Sequence, residues 1–83
     1  MKAVDLLHGI LWLECNEKAS GYIQLLFERA KKGFSSQEKT DLTLFSFTES
    51  IPGLFKFVGM IESGDIGYDW FYASLIKIRE GLK

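Results

Sequence analysis

Apolar residues in this chain recur at helical spacing, in runs that glycine and proline keep short. The clearest run spans Glu17 to Lys32, where Ala19, Tyr22, Ile23, Leu26 and Ala30 fall at i, i+3, i+4, i+7 and i+11. At about 100° per residue these side chains form one stripe along a helix. Asn16 is a candidate N-cap for this helix, with Glu17 in its first turn. Arg29, Lys31 and Lys32 complement the negative end of the helix dipole, and Gly33 suits the position just beyond. Short amphipathic helices hide such stripes by packing on one another, so the pattern predicts a helical bundle.

The remaining segments fit the same scheme. From Ala3 to Cys15, Ala3, Leu6, Leu7, Ile10, Leu11 and Leu13 gather on one side, while Asp5, His8, Trp12 and Asn16 face the other. Ser35 and Glu38 have capping-box spacing and open a third helix. Its continuation, DLTLFSFTES (Asp41 to Ser50), is ambiguous. Leu42, Leu44 and the Phe45/Phe47 pair alternate as in a strand, yet Leu44, Phe47 and Ile51 also fit a helix. A lone strand would have nothing to pair with, so helix is the expectation.

Pro52 suits the first turn of a further helix, with Ser50 as its cap. Leu54, Phe57, Val58 and Ile61 form that helix's stripe, and Gly64 ends it. The last helix is expected from about Ile66 to Leu82, with Phe71, Leu75, Ile78 and Leu82 as its inner seam. The reading is all-α: a compact bundle of four to five short helices ending in an αα-hairpin, one domain across residues 1–83.

Composition bounds the function classes. Lys and Arg number 10 against 11 Asp and Glu, for a net charge of −1. A nucleic-acid binder ordinarily carries a basic excess. The basic cluster Arg29, Lys31 and Lys32 already has a role at a helix end, and a nucleic-acid-associated regulator is the weakest of the binding readings. One cysteine, Cys15, leaves no partner for an internal disulfide and fits a reducing cytoplasm. The start, MKAVDLLHGILWLEC, faintly resembles a signal peptide, but Asp5, His8 and Glu14 interrupt it. No apolar run approaches the roughly 20 residues that span a bilayer, so no membrane association is expected.

The stretch ESGDIGYDWFY, Glu62 to Tyr72, raises the question of a metal loop on Asp65 and Asp69. Counted from Asp65, a calcium-binding helix-loop-helix would need glycine at the sixth position and glutamate at the twelfth. The chain has Trp70 and Ile76 there. Asp65 reads more simply as a helix cap, with Asp69 in the favourable first turns. His8 and Cys15 stand seven residues apart, about two helical turns, too far for a nucleophile–base pair on one helix. No catalytic residue, metal ligand or cofactor site is predicted, and the chain reads as a non-enzyme.

What remains is surplus apolar surface. Hydrophobic residues make up 47% of the chain and aromatics 14%, more than so small a domain readily buries. Trp12 projects away from its helix's seam, with the Gly33 to Asp41 segment as its candidate cover. Ile66, Trp70 and Ile76 lie off the seam of the last helix, which is therefore either central in the bundle or half of an interface.

The segment LFKFVGMIESGDIGYDWFYASLIKIREGL, Leu54 to Leu82, resembles the helical hairpin of small immunity proteins of bacterial tRNase toxins, the colicin D immunity-like group. Size and helical content are similar too. The resemblance implies a stoichiometric inhibitor that presents acidic side chains to a basic nuclease site. Glu62, Asp65 and Asp69 would supply the acids, with Tyr68 and Trp70 as anchors. From the exposed-aromatic argument, Tyr72 and Trp12 join them as candidate partner-binding residues. The alternative partner is a second copy of the chain, in a homo-oligomeric structural or regulatory adaptor.

Overall fold

A computed structural model describes residues 1–12, 15–64 and 66–82. Among these residues five helices follow in order: α1 (Ala3–Trp12), α2 (Asn16–Lys32), α3 (Ser36–Glu49), α4 (Leu54–Glu62) and α5 (Tyr68–Glu80). There is no strand among the described residues, and the ambiguous segment from Asp41 is the second half of α3. The all-α reading holds.

The stripes predicted for α1, α2, α4 and α5 become the core, whereas on α3 the expected Leu44 and Phe47 side is exposed and Leu42 and Ser46 are buried. Ala19, Ile23, Leu26 and Ala30 are buried on α2, and Leu54, Phe57, Val58 and Ile61 on α4. Phe71, Leu75 and Ile78 are buried on α5, with Leu82 half-buried. Helix α1 takes the central place, packing against α2, α3 and α5. Five of its ten residues are buried: Ala3, Leu6, Leu7, Ile10 and Leu11. The last helix is therefore not the central one. It lies on α1 and α2, and touches α4 where the Phe57 ring meets Trp70 and Phe71. Leu13, the last member of the expected α1 stripe, falls outside the described residues.

Helix ends match the sequence where one cap chemistry dominates. Ser35 Oγ accepts from the Glu38 N–H at 3.2 Å, and Glu38 Oε1 accepts from the Ser35 N–H at 3.0 Å, completing the capping box. Elsewhere the ends differ. Cys15, not Asn16, is the N-cap of α2. The Asn16 side chain instead accepts a hydrogen bond from the guanidinium of Arg79, 63 residues away. Ser50 does not cap α4 but closes α3 in the left-handed conformation, at φ 49°. Pro52 lies in the turn that follows, and Gly53 at φ 82° is the N-cap of α4, a backbone state that a side chain would strain. Helix α5 opens later than expected, at Tyr68 behind Gly67, while the Asp65 cap lies outside the described residues.

Among the described residues Arg79 is one of two buried polar side chains, the other being Ser46. Its Nε donates to the Ile10 carbonyl at 2.9 Å, in the last turn of α1 where carbonyls lack helical partners. One guanidinium thus ties α5 to the end of α1 and the start of α2.

Candidate protein-binding surface

The predicted partner-binding residues do not form one surface. Successive residues on a helix point about 100° apart, so the aromatics at the start of α5 turn toward different neighbours. Tyr68 is half-buried with its edge on the Phe27 ring, centroids 5.0 Å apart. Tyr72 is half-buried, and its hydroxyl shares a hydrogen bond with Ser20 Oγ at 3.2 Å. Both belong to the α2–α5 junction. Trp70 turns the other way and stacks on Phe57 at 5.7 Å, 39% exposed. Asp69 is exposed in the first turn of α5, and Asp65 lies outside the described residues. Glu62 is half-buried on α4, accepting from Thr43 Oγ1 of α3 at 3.1 Å. Trp12, 44% exposed, packs on His8 and the edge of Phe45, since α3 begins at Ser36 and leaves no long loop to cover it.

The basic cluster is largely engaged at home. Arg29 pairs with Glu38 at 3.4 Å, and the Lys31 ammonium lies 5.7 Å over the Phe27 ring. No group of three or more His, Cys, Asp or Glu side chains converges among the described residues. Cys15 is free and exposed at the start of α2. Without closing a full capping hydrogen bond, its thiol faces the N–H groups of Lys18 and Glu17, which hold its pKa below the ordinary thiol value.

A different apolar surface emerges on α3 and α4. Leu44 is 57% exposed, Phe47 63% and Phe55 55%. The Phe47 and Phe55 rings lean on one another at 4.7 Å across the two helices. Gly59, one turn beyond Phe55, has open space above its Cα. Fully burying such a side chain stabilises by roughly 1.5–3 kcal/mol, so a half-exposed trio forgoes several kcal/mol that a partner surface would recover.

Carboxylates edge this surface. Leu44 and Phe45 also line a shallow groove of about 410 Å³ against α1, where Asp5, Asp41 and Glu49 outnumber the single ammonium of Lys2. Asp41 accepts from Gln37 Nε2 at 2.9 Å, and none of the three acids is in a salt bridge among the described residues. On the other edge Glu62 bridges α3 and α4 through Thr43. Unpaired carboxylates beside exposed aromatics give the face an acidic, apolar character.

The sequence carried a signal for this face. DLTLFSFTES was ambiguous because its apolar residues sit on both sides of whichever element forms. As a helix, Leu42 points to the core while Leu44 and Phe47 point out. No family model matches this chain, and no curated protein or solved structure matches it either.

Proposed function

We propose that the protein acts without catalysis, by binding another protein, as a stoichiometric inhibitor of the immunity type whose target is a basic protein such as a nuclease toxin. The observation that carries this is the exposed Leu44, Phe47 and Phe55 surface with Asp5, Asp41, Glu49 and Glu62 at its edges. Aromatic side chains at the centre of a patch are the usual energetic anchors of an interface. Acids at its rim steer a basic partner toward it and reject acidic ones. Of the acids that the resemblance implies, Glu62 edges this face; the others that support the reading, Asp5, Asp41 and Glu49, sit on α1 and α3 rather than at the start of α5. No described helix is long and apolar enough to cross a membrane. A single cysteine, free and exposed, supports a cytoplasmic place of action, where thiols stay reduced.

The test is capture from the source cell with three immobilised forms: wild type, Phe47→Ser/Phe55→Ser, and Asp41→Lys/Glu49→Lys. Helicity by circular dichroism confirms that each form folds. The expected result is a basic protein held by the wild type, lost with the aromatic pair, and bound more slowly and with less salt dependence by the charge variant. Losing one hot-spot aromatic costs about 2 kcal/mol, or roughly 30-fold in affinity. A captured partner that is acidic, or is held equally by all three forms, contradicts the reading. Concentration-dependent dimerisation that the aromatic pair abolishes would assign the face to a second copy instead.

A further inference from the structure

Helix α4 has a second flank, independent of the Phe47/Phe55 surface. Phe55 turns toward α3, whereas Phe57 turns toward α5 and carries the stacked Trp70. Beside that stack lies a half-open groove of about 410 Å³, running from the Pro52–Gly53 turn to the last turn of α5. Ile51, Phe57 and Ile78 form its apolar base, and the Trp70 indole is one wall. Two ammonium groups stand on it, Lys56 from α4 and Lys77 from α5. Both are exposed, neither makes a salt bridge or side-chain hydrogen bond among the described residues, and no described Asp or Glu lines the groove.

This local sign runs against the chain as a whole, whose net charge is −1, and against the acidic face on α3. The geometry points to a docking groove for an acidic peptide segment of a partner protein, one large apolar side chain seated between Trp70 and Ile78, with flanking carboxylates on Lys56 and Lys77. Charge complementarity selects the acid, since two cations held over an apolar floor favour an amphipathic anion. The half-open shape selects a segment of chain. Pockets that take small molecules enclose most of the ligand surface, whereas a groove open along its length lets a backbone enter and leave. Trp70 supplies an aromatic wall that is already stacked on buried Phe57 in the free protein.

The experiment uses Trp70 as its own reporter. In the Trp12→Phe protein it is the sole tryptophan. A random dodecapeptide library is selected against this protein, and the enriched sequences are synthesised and titrated while the indole emission is followed. Enriched peptides are expected to carry Asp or Glu on both sides of a Leu, Ile, Phe or Trp and to shift the emission to the blue. Their affinity should fall at least about tenfold in Lys56→Glu/Lys77→Glu, and fall steeply with salt. It should be unchanged in Phe47→Ser/Phe55→Ser, which separates this groove from the α3 face. Enrichment of neutral or basic sequences, no peptide that moves the Trp70 emission, or full affinity in the lysine variant overturns the proposal. A shift produced by dodecanoate but by no peptide also overturns it, and reassigns the groove to a fatty-acid-like anion.

Discussion

Gly9 lies in the middle of α1, and helix propensity alone says that alanine there should stabilise the protein by about 1 kcal/mol. The packing of α1 on α2 says otherwise. A Cβ built on Gly9 would lie 2.7 Å from Tyr22 Cε2 and 2.8 Å from Cδ2, distances that real Cβ atoms do not tolerate. Tyr22 is half-buried and packs against the core, so its ring must move off α1 to admit a methyl group. Overpacking of this kind costs about 1–3 kcal/mol, which offsets the propensity gain and leaves Gly9→Ala between neutral and about 2 kcal/mol destabilised. For a domain this small, 1 kcal/mol corresponds to roughly 4–8 °C in Tm. The assay is urea and thermal unfolding followed by helix ellipticity, in wild type, Gly9→Ala, Tyr22→Ala and the double variant. In the Tyr22→Ala background the obstruction is gone, so Gly9→Ala should now stabilise by up to about 1 kcal/mol, a change of sign that the double-mutant cycle isolates. A stabilisation of about 1 kcal/mol in both backgrounds, with no coupling, would refute the close approach of α1 and α2.

Four further outcomes follow from single contacts. Arg79→Met should cost about 2–4 kcal/mol, because it leaves the Ile10 carbonyl and the Asn16 side chain without their charged donor, and Arg79→Lys should recover little of it, as a lysine cannot reach both; chemical denaturation measures both. Ser35→Ala should lose about 1 kcal/mol of the same stability by opening the α3 capping box. The Ser35 N–H, with help from the Ser35 hydroxyl and Arg29, holds the Glu38 carboxyl below its usual range, so its stabilising share is present above the unfolded carboxylate pKa and is lost as pH falls through the folded one; Glu38→Gln should flatten the acid limb of a stability–pH curve. Cys15, its pKa lowered by the Lys18 and Glu17 N–H groups, should react with iodoacetamide near neutral pH faster than an unstructured peptide thiol, and equal rates after urea unfolding would assign the difference to the fold.

The elements were legible wherever one local pattern dominated. The α2 and α4 stripes and the Ser35–Glu38 box needed only spacing and cap chemistry, whereas the helical state of the Asp41 segment rested on the lack of a partner for a lone strand. The misplaced ends trace to competition that spacing cannot weigh. Asn16 has the right chemistry for a cap, but Arg79 arrives from 63 residues away and takes its side chain. Ser50 could serve the end of one helix or the start of the next, and the left-handed turn at Ser50 decided it. The candidate site was read at the start of α5 because its aromatics exceeded one seam. Tyr68 and Tyr72 found partners on α2 and Trp70 on α4, contacts that depend on which helices become neighbours. Phe55 belongs to a segment whose stripe is complete without it, whereas Phe47 spaces with Leu44 and Ile51 as a stripe of its own; that α3 turns Leu44 and Phe47 outward shows only once α3 and α4 pack side by side.

Hydroxyl-radical footprinting of the protein, free and bound to its captured partner, tests the central claim most directly, since it reads side-chain exposure residue by residue. Binding through the α3–α4 face predicts strong protection of Leu44, Phe47 and Phe55, with Tyr68 and Tyr72 unchanged. Protection centred on the outer side of α5, with Phe47 and Phe55 as reactive as in the free protein, would contradict it.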